Sequence, residues 1–269
     1  MILIRSTLAK TQPDSFSRSV ITTIVAVIPY VVAILLVYLL WTYAAQTLNP
    51  IFFPPPERVW RATLELIGTG ELIHHTAVSF GRILAGFMIG SAIAIPLGLM
   101  MGLSPVFQRM CGIYISLLRF IPPITMIIFA IVWFGAGETS KIFLVAFGTV
   151  FSVALNTEAG VRWIPTNRLR AAACLGASRS QIFWRVCLPS CVPFILTGMR
   201  IAMGMAFAVI TAAELISAEA GLGYLLEISR TFMKTDRIFV AVVALGLLGL
   251  ATDRGFRVLI RRFGGEYVR

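Results

Sequence analysis

Six apolar runs dominate the chain, and polar stretches of very different length separate them. They predict membrane helices at about 20–45, 80–103, 111–134, 141–157, 192–217 and 238–252, because about 20 apolar residues in helical form cross a bilayer. The third run is interrupted by Arg119-Phe-Ile-Pro-Pro123. Pro122 and Pro123 remove two backbone donors and break the helix at membrane depth. Irregular backbone at that depth belongs inside protein or along a cavity. In the second run Gly86, Gly90, Ala94, Gly98 and Gly102 recur every fourth residue, and in the fifth Gly198, Ala202 and Ala206 do the same. Each set puts small side chains on one helix face, where another backbone can come close. Pro96 predicts a kink in the second helix.

The polar stretches carry their own signals. Pro54-Pro55-Pro56 followed by Glu57 and the apolar Val59, Trp60, Leu64, Leu66 and Ile67 predicts an amphipathic interfacial helix over 55–67. His74 and His75 read as interfacial polar residues, since no further metal ligand clusters nearby. Gly135–Lys141 reads as a short turn, and 218–237 as a loop around Gly221-Leu-Gly-Tyr224. The longest polar island, Pro165–Pro189, holds helix signals of its own. Asn167 can cap a first short helix, and Gly176 suits the left-handed residue that ends it. Ser178 and Gln181 form a capping box for a second, and Leu188-Pro189 closes that piece. A helix–bend–helix of this kind, basic at Arg162, Arg168, Arg170, Arg179 and Arg185, predicts a docking surface for another protein.

Composition agrees with a polytopic membrane protein. Of 269 residues 58% are hydrophobic and 13% charged, and the net charge is +11; soluble domains are nearer a quarter charged. Residues 1–19 are polar, and the run after them is too long for a signal-peptide core, so it reads as an uncleaved first span rather than one cut after Ala44-Ala45. With both termini cytoplasmic, 14 Lys and Arg fall inside, among them Arg5, Lys10, Arg18, the island arginines and a tail from Arg254 to Arg269. Seven fall outside: Arg58, Arg61, Arg82, Lys141, Arg230, Lys234 and Arg237. That bias, and not nucleic-acid binding, accounts for the positive charge. Cys111, Cys174, Cys187 and Cys191 lack metal spacing and read as free thiols.

Enzyme signatures are absent. No H-E-x-x-H, G-x-S-x-G or P-loop lysine motif occurs, so neither a catalytic residue nor a metal ligand is assigned, and the chain cannot hydrolyse ATP by itself. Arg119, Arg200 and Glu214 are the charges within spans, with Glu214 the only carboxylate well inside one. Arg119 reads either as a cationic point on a substrate path or as a cap on carbonyls freed by Pro122 and Pro123. Arg200 and Glu214 lie about 21 Å apart along one helix and need separate partners, with a structural role expected for Arg200. Glu214 reads either as part of a pathway or gate, or as a structural tie.

Ala171-Ala172, Gly176 and Leu188-Pro189 resemble the E-A-A-x-x-x-G…L-P loop of ABC importer permeases, with Arg170 standing where the family usually has Glu. Phe53–Pro56, Gly98–Ser104, Arg119–Pro123, Trp133–Lys141, Ala213–Ser217, Gly221–Tyr224 and Thr235-Asp236 are similar to segments of the aliphatic sulfonate, taurine and nitrate branch. Bicarbonate and pyrimidine-precursor permeases share much of this pattern. The resemblance implies an all-α membrane protein of about six transmembrane helices, the transmembrane domain of a type I importer over 20–269, with a cytoplasmic coupling loop at 158–190 and a periplasmic helix at 55–67. It implies ATPase coupling through Arg168, Arg170, Ala171, Ala172, Leu175, Gly176, Ala177 and Ser178. The broken helix at Arg119, Pro122 and Pro123, together with Glu214, becomes the candidate substrate pathway.

The implied partners are a second copy of the chain, two ATP-binding subunits that hold ATP and Mg, and a periplasmic or lipid-anchored binding protein. The implied place is the bacterial inner membrane. The implied cargo is a small organic anion, taurine or another aliphatic sulfonate, with nitrate, bicarbonate or a heterocyclic vitamin precursor as alternatives. An ion-coupled secondary transporter would instead call for inverted repeats and a carboxylate relay, and neither is visible in the sequence.

Overall fold

In a computed structural model, residues 15–263 are described, and all regular structure among them is helical. The chain forms two compact units, Met1–Arg58 and Val59–Arg269. Arg5, Lys10, Arg269 and the side chains of Arg18, Arg261 and Arg262 lie outside the described residues, as does most of the expected cytoplasmic segment 1–19.

The first unit contains α1, Ser15–Thr47, whose stretch Ile28–Thr47 has a mean hydropathy of 2.0. The indole Nε1 of Trp41 donates to the Pro54 carbonyl at 3.0 Å and ties the end of α1 to the proline turn. Segment 55–67 forms α2, Pro56–Gly68, where Pro56 presets the first helical φ and Glu57 complements the N-terminal dipole.

The second unit is built around α6, Glu138–Arg162, which packs most extensively against α3, Glu71–Leu103, and α9, Leu188–Ser217. The small-residue stripes explain both contacts. A Cβ added at Gly90 would meet the Ala146 carbonyl and the Thr149 side chain at 2.7 Å, and one at Gly198 would meet Asn156 Cβ at 2.7 Å. Both stripes are therefore filled by α6 of the same chain. The core between them holds Ile83, Ala94, Leu144, Val145, Val153, Ala202, Ala206 and Ile210, all buried.

Several boundaries move from expectation. The third run is not one span but two short helices, α4, Pro105–Leu118, and α5, Met126–Phe134, because Pro122 and Pro123 cannot donate between them. Among the described residues five helical stretches are individually long and apolar enough to cross a membrane, and neither α4 nor α5 is one of them. Helix α3 begins nine residues earlier than the apolar run, with Gly70 left-handed at φ 79° before it and Glu71 in its first turn, and it continues through Pro96. Helix α6 likewise begins at Glu138. Arg82 and Lys141, expected in outer polar segments, thus lie on helices and are buried. Glu214 is also not alone, since Glu158 on α6 and Asp253 on α11, Thr235–Phe263, sit within helices of membrane-crossing length.

Close approach of α3 to α6 yields a test. Gly90→Leu should destabilise the purified protein by about 1–3 kcal/mol, the usual effect of overfilling a packed interface. Gly81→Leu, at a position with open space around it, should leave the melting temperature of the detergent-solubilised protein near that of the parent. Equal melting of all three would remove the packing role given to the stripe.

Candidate functional site

The arginine island folds as a helical hairpin at the joined ends of α6 and α9. Pro165, extended at φ −60° and ψ 129°, starts α7, Thr166–Cys174. Asn167 was expected as the cap. It lies inside the first turn instead, its Oδ1 accepting from the Arg168 amide at 2.9 Å, because Pro165 already sets the turn into the helix. The other end follows expectation. Gly176 is left-handed at φ 79°, the Ala177 amide donates to the Ala172 carbonyl at 3.1 Å, and the Gly176 amide donates to Ala173 at 3.0 Å. This pair of bonds is a Schellman stop. The capping box that starts α8, Arg179–Ile182, is complete: Ser178 Oγ accepts from the Gln181 amide at 3.3 Å, and Gln181 Oε1 accepts from the Ser178 amide at 2.8 Å.

Leu188-Pro189 does not close the second piece. A π-helical turn, Phe183–Cys187, joins α8 to α9, and the Leu188 amide donates to the Phe183 carbonyl. The wider turn accommodates Pro189, which has no amide to give and whose ring would crowd the preceding carbonyls. Arg179–Ser217 is consequently one 39-residue helical run.

Leu169, Ile182, Phe183 and Leu188 pin the hairpin to a second apolar cluster made by Val161, Ile164, Cys187, Cys191 and Ile195. Cys187 and Cys191 are free thiols buried in it. The polar and tip residues remain outward. Arg168, Arg170, Ala171, Gly176 and Ser178 are exposed, Ala172 and Ala177 are half-buried, and Leu175 is 88% exposed at the bend. A leucine so placed, on a rigid double-capped turn, suits insertion into an apolar groove of a partner.

Arg119, Pro122 and Pro123 lie together at the break between α4 and α5. Turn bonds carry the chain through, with the Thr125 amide donating to the Pro122 carbonyl at 2.9 Å and the Met126 amide to Pro123 at 3.1 Å. The Arg119 guanidinium lies 4.7 Å from the Phe120 ring centroid, and among the described residues no carboxylate pairs with it. Its exposed neighbours are apolar: Phe120, Ile121 and Ile124.

Glu214 does not join them. It is 1% exposed near the far end of α9. Ser79 Oγ lies 2.9 and 2.8 Å from its two oxygens, Arg82 Nη1 donates to Oε1 at 2.8 Å, and the Gly223 amide donates to Oε2 at 2.9 Å. Arg82 also grips Glu138 with Nε at 2.6 Å and with Nη2, and donates to the Ala220 carbonyl at 2.6 Å. The Gly221 amide donates to His75 Nδ1 at 3.1 Å, and the Leu222 amide to Ser79 Oγ at 2.8 Å. Lys141 Nζ caps the Ala136 and Gly137 carbonyls at 3.0 Å. The network thus fastens α3, α6 and α9 to the start of α10, Leu222–Thr231. Gly221, at φ 122°, has the Glu214 carboxylate directly over the place a Cβ would take.

Arg200 finds its partner on α11, with Nε donating to Asp253 Oδ1 at 2.7 Å, and Arg257 reaches the same carboxylate at 2.6 Å. Outside the spans, the Arg230 guanidinium beside Glu227 holds that carboxyl below its ordinary range.

Sequence reasoning missed His75, Ser79 and Arg82 as one set. A signal existed: their spacing of four and then three places them on one face of a helix.

Comparison with known proteins places residues 94–265 in the family described as "Binding-protein-dependent transport system inner membrane component". The taurine transport system permease protein of Escherichia coli (strain K12) is 37% identical over 228 residues, covering 82% of this chain and 83% of that protein. A protein of the same strain provisionally named an aliphatic sulfonates transport permease is 37% identical over 223 residues, covering 82% and 85%. Inward-facing crystal forms of the MetNI methionine ABC transporter include a chain matched with a TM-score of 0.59 at 22% identity, over 71% of this chain and 96% of that one.

The buried network should behave as a structural tie. Glu214→Ala, which strands the Arg82 contacts, should cost about 3–5 kcal/mol, the usual loss on breaking a buried pair. Gly221→Ala should also lower the melting temperature, because its methyl would displace the Glu214 carboxylate. Unchanged melting of both variants, with an altered substrate preference for Glu214→Ala, would assign Glu214 to the pathway instead.

Proposed function

The chain belongs to the inner membrane components of binding-protein-dependent transport systems, and on that premise we propose that it carries a small organic anion, taurine or another aliphatic sulfonate, into the cell. As an ABC importer permease it is a multi-span, non-catalytic protein of the inner membrane that works as a dimer with ATPase subunits and a binding protein. The sulfonate reading is supported by the two 37%-identical relatives and their names. A bicarbonate transport system permease protein of Synechocystis sp. (strain ATCC 27184 / PCC 6803 / Kazusa), 28% identical over 87% of this chain and 87% of that protein, supports a small inorganic anion as the second reading.

The observation that carries the mechanism is the double-capped hairpin with Leu175 at its tip. Both termini and this hairpin face the cytoplasm, as the arginine distribution favours. Removing buried Arg82 and Lys141 from the outer tally leaves five basic residues there against 14 inside, which sharpens the bias. Each of two permease copies seats its hairpin in a groove of one ATPase subunit. ATP and Mg bind to those subunits, whose closure moves the hairpins. The continuous run Arg179–Ser217 carries that motion to the outer end, where the Glu214 network holds α3, α6, α9 and α10 together. Arg119, one from each copy, offers a positive point to the passing anion at the helix break.

Two outcomes test this. In proteoliposomes holding the permease with its ATPase, taurine-loaded binding protein should stimulate ATP hydrolysis, and bicarbonate-loaded protein should not; the reverse preference would move the cargo to the second reading. Gly176→Leu should uncouple the pair. Open space surrounds Gly176, so the effect comes from the left-handed backbone alone, about 1–2 kcal/mol of strain for a residue with a Cβ. Its membrane insertion should match the parent, while stimulated hydrolysis and uptake are lost. Normal uptake by Gly176→Leu would contradict coupling through this bend.

A further inference from the structure

One strongly basic cavity is left over once the hairpin tip, the helix break and the outer network are accounted for. It lies at the base of the hairpin, has a volume of about 490 Å³, and is walled in part by Trp163, Arg168, Arg185, Pro189, Ser190 and Pro193. Residues 175–178, the tip that would enter an ATPase groove, do not line it, and of the residues that the family resemblance ties to ATPase coupling only Arg168 does.

We propose that this cleft binds the phosphate headgroup of an anionic phospholipid of the surrounding leaflet. Charge is the first argument. Arg162 nearby is paired with Glu158 at 2.9 Å, but among the described residues Arg168 and Arg185 have no ion-pair partner. Two unpaired guanidiniums on one cleft form a receptor for phosphate oxygens, which the planar fork of arginine matches. Position is the second argument. The walls come from the last turn of α6 and the connection after it, from Arg168 on α7 and from the start of the Arg179–Ser217 run, and both α6 and that run are of membrane-crossing length. Trp163 and Trp184, on those same ends, are 76% and 63% exposed, as indoles at a membrane–water boundary are. Shape is the third. Pro189 and Pro193 give the walls apolar surface and Ser190 between them gives a hydroxyl, which together suit a glycerol backbone below a phosphate. Basic pockets between membrane helices on the cytoplasmic side are recognised sites for such headgroups.

The proposal rests on the membrane placement of α6 and α9 and not on the cargo. The consequence is that the leaflet's anionic lipid braces the hairpin where the lever begins.

The test uses the permease–ATPase complex in nanodiscs of phosphatidylcholine with and without phosphatidylglycerol, with retained lipids counted by native mass spectrometry. The parent should retain phosphatidylglycerol in preference to phosphatidylcholine. Arg185→Gln should lower that preference about fivefold, and Arg168→Gln with Arg185→Gln about 25-fold, since each arginine near an anionic lipid surface contributes about that factor. Arg185→Lys should keep part of it, which separates loss of charge from misfolding. No preference in the parent, or an undiminished one in the double variant, would overturn the proposal. Displacement of phosphatidylglycerol by millimolar inorganic phosphate would overturn it in favour of a free-anion site. Loss of the ATPase from the double variant with lipid retention intact would assign the arginines to the protein interface. Because the readout is lipid retention, any of these failures leaves the importer reading standing.

Discussion

The backbone of α3 lies so close to α6 that no side chain fits between them at Gly86, Gly90, Gly98 or Gly102. In a bilayer this kind of contact has unusual weight. Lipid tails are as apolar as leucine, so helices do not associate merely to escape water; they associate where van der Waals contact and hydrogen bonding are better than with lipid. The glycines supply that contact on one side of α6, and Gly198, Ala202 and Ala206 supply it on the other. Helix α6 is thereby held between two neighbours over most of its length. The small-residue faces are used up within the chain, which leaves the apolar faces of α4 and α5, with Ile113, Tyr114, Leu117, Ile128 and Val132 outward, for lipid or for a second copy.

Close packing of this sort also permits buried charge. Arg82 and Lys141 would be costly facing lipid. The approach of α3 to α6 encloses them, and each is then satisfied at once by carboxylates or by the carbonyls at the start of α6. Glu214 in turn receives hydrogen bonds from α3 and from the start of α10. The network has a use in the proposed mechanism: it makes the outer ends of three helices move as one.

Much of this was legible in the sequence, and the failures have physical causes. The glycine repeat, the left-handed Gly176 and the Ser178–Gln181 box are local signals, set by residues within one or two turns, and each took the expected form. The helix break at Pro122 and Pro123 was legible too, and it separates α4 from α5. Hydropathy misplaced the starts of α3 and α6, because charged and polar residues interrupt the apolar pattern there: Ser79 and Arg82 on α3 are buried through contacts far along the chain, and Ser140 and Lys141 on α6 are buried as well. Arg82 and Glu214 are 132 residues apart, and nothing local to either announces the other. Pro189 misled for a different reason. A proline preceded by an ordinary α-turn stops a helix, but one preceded by a π turn does not, and that turn is chosen by the packing of Phe183 and Cys187 in the second apolar cluster.

In the proposed mechanism the hairpin and the outer network are the two ends of one rigid lever, about 58 Å of continuous helix from Arg179 to Ser217. Cys174 on α7 is exposed and Met233 beyond α10 is 62% exposed, so spin labels at Cys174 and at Met233→Cys, with Cys111→Ser, would report on both ends. The decisive measurement is double electron–electron resonance on mixed dimers with one doubly labelled copy, in the full assembly, with and without ATP. A rigid lever predicts that the distance within a copy keeps its apo distribution, while the Cys174–Cys174 distance between singly labelled copies shifts. A change of the intrachain distance on ATP binding, with the hairpin swinging on the π turn, would contradict the account.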